Sequence, residues 1–190
     1  EFVGYLTKLY KEAICISGTH GKTTTTSMIS VCFVEAEKDP SIEVGALLNA
    51  IGGNYRVGNS EYFILESCEY RRHFLEYDPE YVVITNIEMD HTDYYKSMDD
   101  MILAYQEFAN KADKMVIACG DDPYTHSLEV NPQIYYYGLS EDNDIQARDV
   151  EYRNDGTSFD VYVEDEYYGH FDLPLFGKHM LLNALAAIAV

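Results

Sequence analysis

The sequence predicts an α/β domain built on a mostly parallel, P-loop-type sheet with helices on both faces, plus a small antiparallel sheet near the C-terminus. Three observations point there. Short, continuously apolar runs alternate with helical patterns, as in parallel sheets covered on both sides. The first such run leads into "GTHGKTTTT" (18–26), a glycine turn opening a helix. After about residue 144 the pattern becomes strict alternation of polar with apolar or aromatic residues, which suits a sheet with one wet face.

The elements follow in order. "EFVGYLTKLYKEA" (1–13) reads as a helix and "AICIS" (13–17) as a buried strand. A helix runs through "TTTTSMISVCFVEAEK" (23–38), with Met28, Val31, Cys32 and Val34 on one face, and Asp39-Pro40 ends it. "IEVGALL" (42–48) is a strand. The glycines and asparagines of "NAIGGNYRVGNS" (49–60) argue for a loop without regular structure. "YFILES" (62–67), "YVVITNI" (81–87), "KMVIACG" (114–120) and "QIYYYGL" (133–139) are further strands. "MDDMILAYQEFANKA" (98–112) is a helix, with Met98, Met101, Ile102, Tyr105, Phe108 and Ala109 on one face. Asn154-Asp155-Gly156 makes a hairpin turn inside the alternating segment, and "GKHMLLNALAAIAV" (177–190) is helical to the last residue.

The chain has 190 residues, enough for one domain with a sizeable core. A net charge of −20 repels nucleic acid and anionic membranes, so neither is an expected partner. It also repels polyphosphates, so a phosphate site must be local, made of backbone N–H groups, a lysine and a metal ion. No apolar run reaches the roughly 18–20 residues that span a bilayer, and no leader pattern opens the chain, which makes a cytoplasmic protein the expectation. Cys15, Cys32, Cys68 and Cys119 have no metal-ligand spacing and read as reduced core thiols.

A strand, a glycine turn, Lys-Thr and a helix form the phosphate-cradling arrangement of nucleotide hydrolases. Gly18 and Gly21 let the loop of Thr19, His20, Lys22, Thr23 and Thr24 turn its amides inward. Lys22 would reach the β- and γ-phosphates, and the Thr23 hydroxyl would reach Mg²⁺. Ile16 stands where the hydrolase pattern has its first glycine, so the loop is a variant. The loop alone leaves GTPase, kinase, ATPase, ligase and regulatory switch open. "NKAD" (110–113) matches a guanine-reading motif but precedes a strand instead of ending one, and reads as chance. Glu66 at the end of "YFILES" can add a carboxylate to the metal, with Glu69 three residues on. Asn86, Asp90 and His91 in "TNIEMDH" (85–91) fall just past the next strand on the same edge.

"GTHGKTTTTSM", "LESCEYRRHF", "ITNIEMDH", "GDDP" and "GKHMLLNALAA" come in the order and spacing of the Mur ligases, and the chain resembles that family's central, ATP-binding domain over essentially its whole length. The resemblance implies a fragment lacking the N-terminal UDP-binding and C-terminal amino-acid-binding domains. It implies ATP and Mg²⁺ as cofactors, with UDP-N-acetylmuramate and L-alanine as substrates joined through an acyl phosphate. A sister reaction with another amino acid or peptide is the alternative. Lys22, Glu66 and His91 correspond to catalytic positions. Thr23 and Glu66 would hold one magnesium, and Glu66 and His91 a second. Asn86 would lie near the nucleotide, and His179 and Asn183 would contact adenine, with Met180 where the family has asparagine. Sister ligases carry a carbamylated lysine where this chain has Gln106, which agrees with the alanine-adding branch. Arg71, Arg72, His73 and the "GGN" loop (52–54) are open candidates for a substrate anion. The fragment alone is expected to bind nucleotide at best, with no turnover.

Overall fold

The computed structural model describes residues 2–190. Among them one continuous ten-stranded sheet runs in the order β10-β9-β8-β7-β6-β5-β1-β4-β2-β3. Its centre is β1 (Glu12–Ser17), flanked in parallel by β4 (Tyr62–Glu66) and β5 (Tyr81–Ile84). β6 (Met115–Cys119) and β7 (Gln133–Gly138) extend the parallel half on one side, and β2 (Ser41–Leu48) on the other. The central strands are the continuous apolar runs of the sequence, and β1 is buried from Ala13 to Ser17.

Helices cover both faces as predicted. α2 (Lys22–Glu35) and α4 (Lys178–Ala189) lie together on one face, where Ile29, Leu181 and Leu185 pack over Ile14, Ile16 and Tyr137. On the other face α3 (Met98–Ala109), the short α1 (Phe2–Thr7) and a 3-10 stretch at Tyr70–Glu76 bury Phe74 and Phe108 stacked at 4.4 Å. The Ser97 hydroxyl accepts the Asp100 amide at 3.2 Å, and Asp99 and Asp100 occupy the first turn of α3, so this helix starts with cap and charge both favourable.

Five readings of the sequence change. The antiparallel strands β8 (Ile145–Arg153), β9 (Gly156–Val163) and β10 (Glu166–Leu173) form no separate sheet. They continue the main one, because β8 pairs in parallel with β7 at Tyr137–Ile145 and Gly138–Gln146 before turning back on β9. The "NAIGG" region is regular: a 3-10 turn at Asn49–Ile51, with Gly52 at φ 70°, reverses the chain into the edge strand β3 (Gly53–Arg56). The turn uses the glycine that argued for a loop. α1 is short because Glu12 and Ala13 are drawn into β1. α2 buries Thr25, Thr26, Ile29 and Ser30, and turns Met28, Val31 and Val34 only part-way inward. The four cysteines are free, but only Cys15 and Cys119 are core residues; Cys32 and Cys68 are exposed.

Candidate functional site

Parallel pairing gathers the strand ends that carry the polar motifs. The register sets Ile16 beside Glu66, Ser17 beside Ile84 and Ile84 beside Ala118, so "GTHGKT", "ESCE", "TNIEMDH" and "GDDP" leave one sheet edge together. "NKAD" precedes β6 and so lies at the opposite edge, where Asn110 serves the 129–131 turn and Lys111 pairs with Asp78.

The loop between β1 and α2 is shaped by its neighbour. The amides of Thr19 and His20 donate to the carbonyl and side-chain oxygens of Asn86, at 3.0 and 2.9 Å. The Asn86 side-chain amide and the Thr85 hydroxyl return hydrogen bonds to the His20 carbonyl, at 2.8 and 2.6 Å. Thr19 is locked to Glu88 in both directions. Gly18 has φ 137°, and a Cβ there would lie 1.9 Å from the Thr85 hydroxyl, so no other residue fits this crossing. Gly21, at φ 86°, caps α2. At that N-terminus the amides of Lys22, Thr23 and Thr24 have no partner one turn back within the helix, the arrangement that favours anions at helix N-termini.

Lys22 folds back. Its ammonium donates to the carbonyls of Gly18 and Thr19, at 2.5 and 3.2 Å, and lies 3.1 and 3.0 Å from the two oxygens of Glu69. Glu69 is 1% exposed. The Thr23 hydroxyl donates to Glu66 at 3.0 Å, and the second Glu66 oxygen accepts the Gly45 amide at 2.8 Å. Thr23 and Glu66, which the resemblance assigns to one magnesium, are thus hydrogen-bonded to each other. His91 does not join Glu66: its ring nitrogen lies 3.4 Å from Glu69. The reason is topological, since Gly45 draws Glu66 toward β2, while Glu69, on the turn after β4, leans toward the segment following β5. Asp90 completes a trio with Glu69 and His91 whose donor atoms all lie within 4.8 Å of one another.

A cleft of about 590 Å³ opens beside the loop, lined by His20, Gly21, Thr24, Asn86, His179, Met180 and Asn183 among others. The volume suits a nucleoside-sized ligand. Asn183 is nearly buried, with its side-chain oxygen where a Cβ on Gly21 would reach it at 2.6 Å, so loop and α4 close on each other. The cleft also holds two aspartates to which the sequence alone assigned no role. One Asp121 oxygen collects the amides of Leu139 and Ser140 and the Ser140 hydroxyl, and the other lies 3.3 Å from Lys178. Burial pushes its carboxyl up, but those hydrogen bonds outweigh burial and leave it below the ordinary value. Burial dominates at Asp122 and raises it. The signal was available: "GDDP" ends an apolar strand at the same edge, like the other motifs.

Arg72 is structural, pairing with Asp100 and Glu107 on α3, and Arg71 lies over the Tyr70 ring. Gln106 accepts the Glu129 amide, facing that turn instead of the phosphate loop.

The sequence model of the Mur ligase middle domain matches residues 16–190. The chain belongs to the Mur ligase family. Among its relatives, the UDP-N-acetylmuramate–L-alanine ligase of Caldanaerobacter subterraneus subsp. tengcongensis is 45% identical over 99% of this chain and 42% of its own length. The UDP-N-acetylmuramate-alanine ligase MurC of Thermotoga maritima superposes with a TM-score of 0.86 at 28% identity, covering 99% of this chain and 43% of that one. The Mur ligase fold is shared further, by a UDP-N-acetylmuramate:L-alanyl-γ-D-glutamyl-meso-diaminopimelate ligase from Neisseria meningitides, with TM-score 0.86 and 24% identity over 98% of this chain and 63% of that one. The chain thus spans under half the length of the curated relative it matches. Among the described residues no helix is long and apolar enough to cross a membrane.

Proposed function

We propose that these residues form the nucleotide-binding part of an ATP-dependent ligase that joins L-alanine to UDP-N-acetylmuramate in the cytoplasm, with no nucleic-acid or membrane partner. The uridine and amino-acid sites would lie in the parts of its full-length relatives that this chain does not cover. The reading rests on the stitched loop: Asn86 and Thr85 hold its backbone at His20, and the N-terminus of α2 opens beside a cleft of nucleoside size.

Forming the amide requires activating a carboxylate by phosphoryl transfer, so the chain must counter the charge of two anions brought together. Here Lys22 and the α2 N-terminus stabilise the terminal phosphates. Asn183 and His179 border the space for the base. The donor set fits Mg²⁺: hard oxygens from Thr23 and Glu66, with a buried oxygen of Glu69 that makes no hydrogen bond. Thr23 and Glu66 would hold one ion, and His91 another. Bound there, the ions would neutralise charge on the phosphates, and the acyl phosphate formed on the substrate would be consumed by the amine of alanine.

The test is phosphate release by the full-length protein. It should require ATP, UDP-N-acetylmuramate and L-alanine together and fall at least about a hundredfold in Lys22→Ala. Release with another amino acid in place of alanine would move the assignment to a sister reaction. Release without any acceptor would point to a nucleotide switch.

A further inference from the structure

Glu69 has a role that the loop lysine does not explain. A carboxylate 1% exposed needs compensation on both oxygens. Oε1 has the Lys22 ammonium at 3.1 Å and the His91 ring at 3.4 Å. Oε2 lies 3.0 Å from the same ammonium but makes no aligned hydrogen bond, leaving a buried acceptor unfilled. The residue is also held in place. The Tyr95 hydroxyl donates to its carbonyl at 2.6 Å, the Arg72 amide does so at 2.9 Å, and Arg71 and Arg72 adopt left-handed backbone just after it. A carboxylate fixed this firmly stands beside Asp90 and His91 with all three donor atoms within 4.8 Å of one another, near enough for small side-chain rotations to bring them onto one cation.

We propose that Glu69 is an exchange carboxylate. It holds Lys22 against the loop before nucleotide binds, and becomes a ligand of a divalent cation, with His91 and Asp90, once the phosphates draw the lysine away. The inference rests on the nucleotide-binding reading above. Lys22 in this structure spends its donors on Gly18, Thr19 and Glu69, so phosphate must displace a bound partner. Glu69 then loses its counter-charge while still buried, and a cation arriving there restores it. Nucleotide and metal affinity are thereby coupled through one side chain, separately from the Thr23–Glu66 pair.

The experiment uses the full-length protein with Mn²⁺ as probe, read by electron paramagnetic resonance, and a non-hydrolysable ATP analogue whose affinity is measured by calorimetry with Mn²⁺ and in chelator. Glu69→Gln should weaken Mn²⁺ in the nucleotide complex at least about tenfold, while analogue affinity in chelator becomes tighter than wild type because Lys22 is released. Glu69→Asp keeps the negative charge but shortens the arm, withdrawing the oxygen that faces both Lys22 and His91. It should lose Mn²⁺ affinity while still unfolding cooperatively, and it decides the matter if the glutamine variant does not fold. Mn²⁺ affinity within about twofold of wild type in the folded variants would overturn the proposal and leave the nucleotide reading intact. Failure of the wild type to bind the analogue under any condition would overturn both.

Discussion

The parallel half around β1 and the antiparallel wing of β8–β10 belong to one sheet but are stabilised in different ways. In the parallel half, both faces are covered and side chains such as Phe74, Phe108 and Val82 are fully buried. At one edge of it the polar side chains hold one another and the loop backbone, as Thr23 does with Glu66 and Asn86 with the amide and carbonyl of His20. In the wing only part of one face is covered. β10 alternates exposed and half-buried residues, Tyr167 and Tyr168 face solvent, and Arg153, Glu151 and Asp172 pair on the surface. The candidate site therefore stands on the half covered on both faces, while in the wing only β8 and β9 reach the core, through Ile145, Phe159 and Val161, and β10 is left to surface interactions.

Truncation of the core tests this contrast most severely. Phe74→Ala should lose about 4 kcal/mol in denaturant unfolding, whereas Phe171→Ala, in the half-buried face of the wing, should lose about 1–2 kcal/mol. Equal losses would break the comparison. Lys22→Met comes next. It strips the counter-ion from buried Glu69 and should cost about 3 kcal/mol, besides abolishing nucleotide binding in calorimetry. A smaller effect, and one that depends on pH, belongs to Asp121. Its folded-state pKa lies below the ordinary 3.8, so its contribution is present above that value and disappears as pH falls through the folded one. Asp121→Asn should accordingly lose about 2 kcal/mol at neutral pH and nothing at the acid end of the same titration. Arg153→Ala, among exposed ion pairs of the wing, should leave the melting temperature unchanged within error.

Much of this was legible in the sequence where one local cause decides the outcome. Continuous apolar runs gave the parallel strands, and Gly18 and Gly21 gave the loop. Thr23 and Glu66 met because β1 and β4 pair in register. What the sequence hid depends on partners distant along the chain. Nothing local to Asn86 shows that its side chain shapes the loop from across the sheet. The pairing of His91 with Glu69 needed knowledge of which way Gly45 pulls Glu66. β3 was missed because glycine and asparagine, read as breakers, here supply the reversal itself, and the wing looked separate because the β7–β8 junction is short.

That junction gives the molecule a line of mechanical weakness. Pairing across it is confined to Tyr137–Ile145 and Gly138–Gln146, while β8 and β9 are zipped along most of their length. α4 crosses the line like a rivet over a perforation, with Leu181 and Leu185 in the same apolar cluster as Tyr137 on one side and Ile145 and Phe159 on the other. The same helix carries Asn183 against the loop at Gly21. One helix thus bridges the weakest seam of the sheet and forms a wall of the cleft beside the loop, so the packing that closes the seam also sets the shape of the cleft.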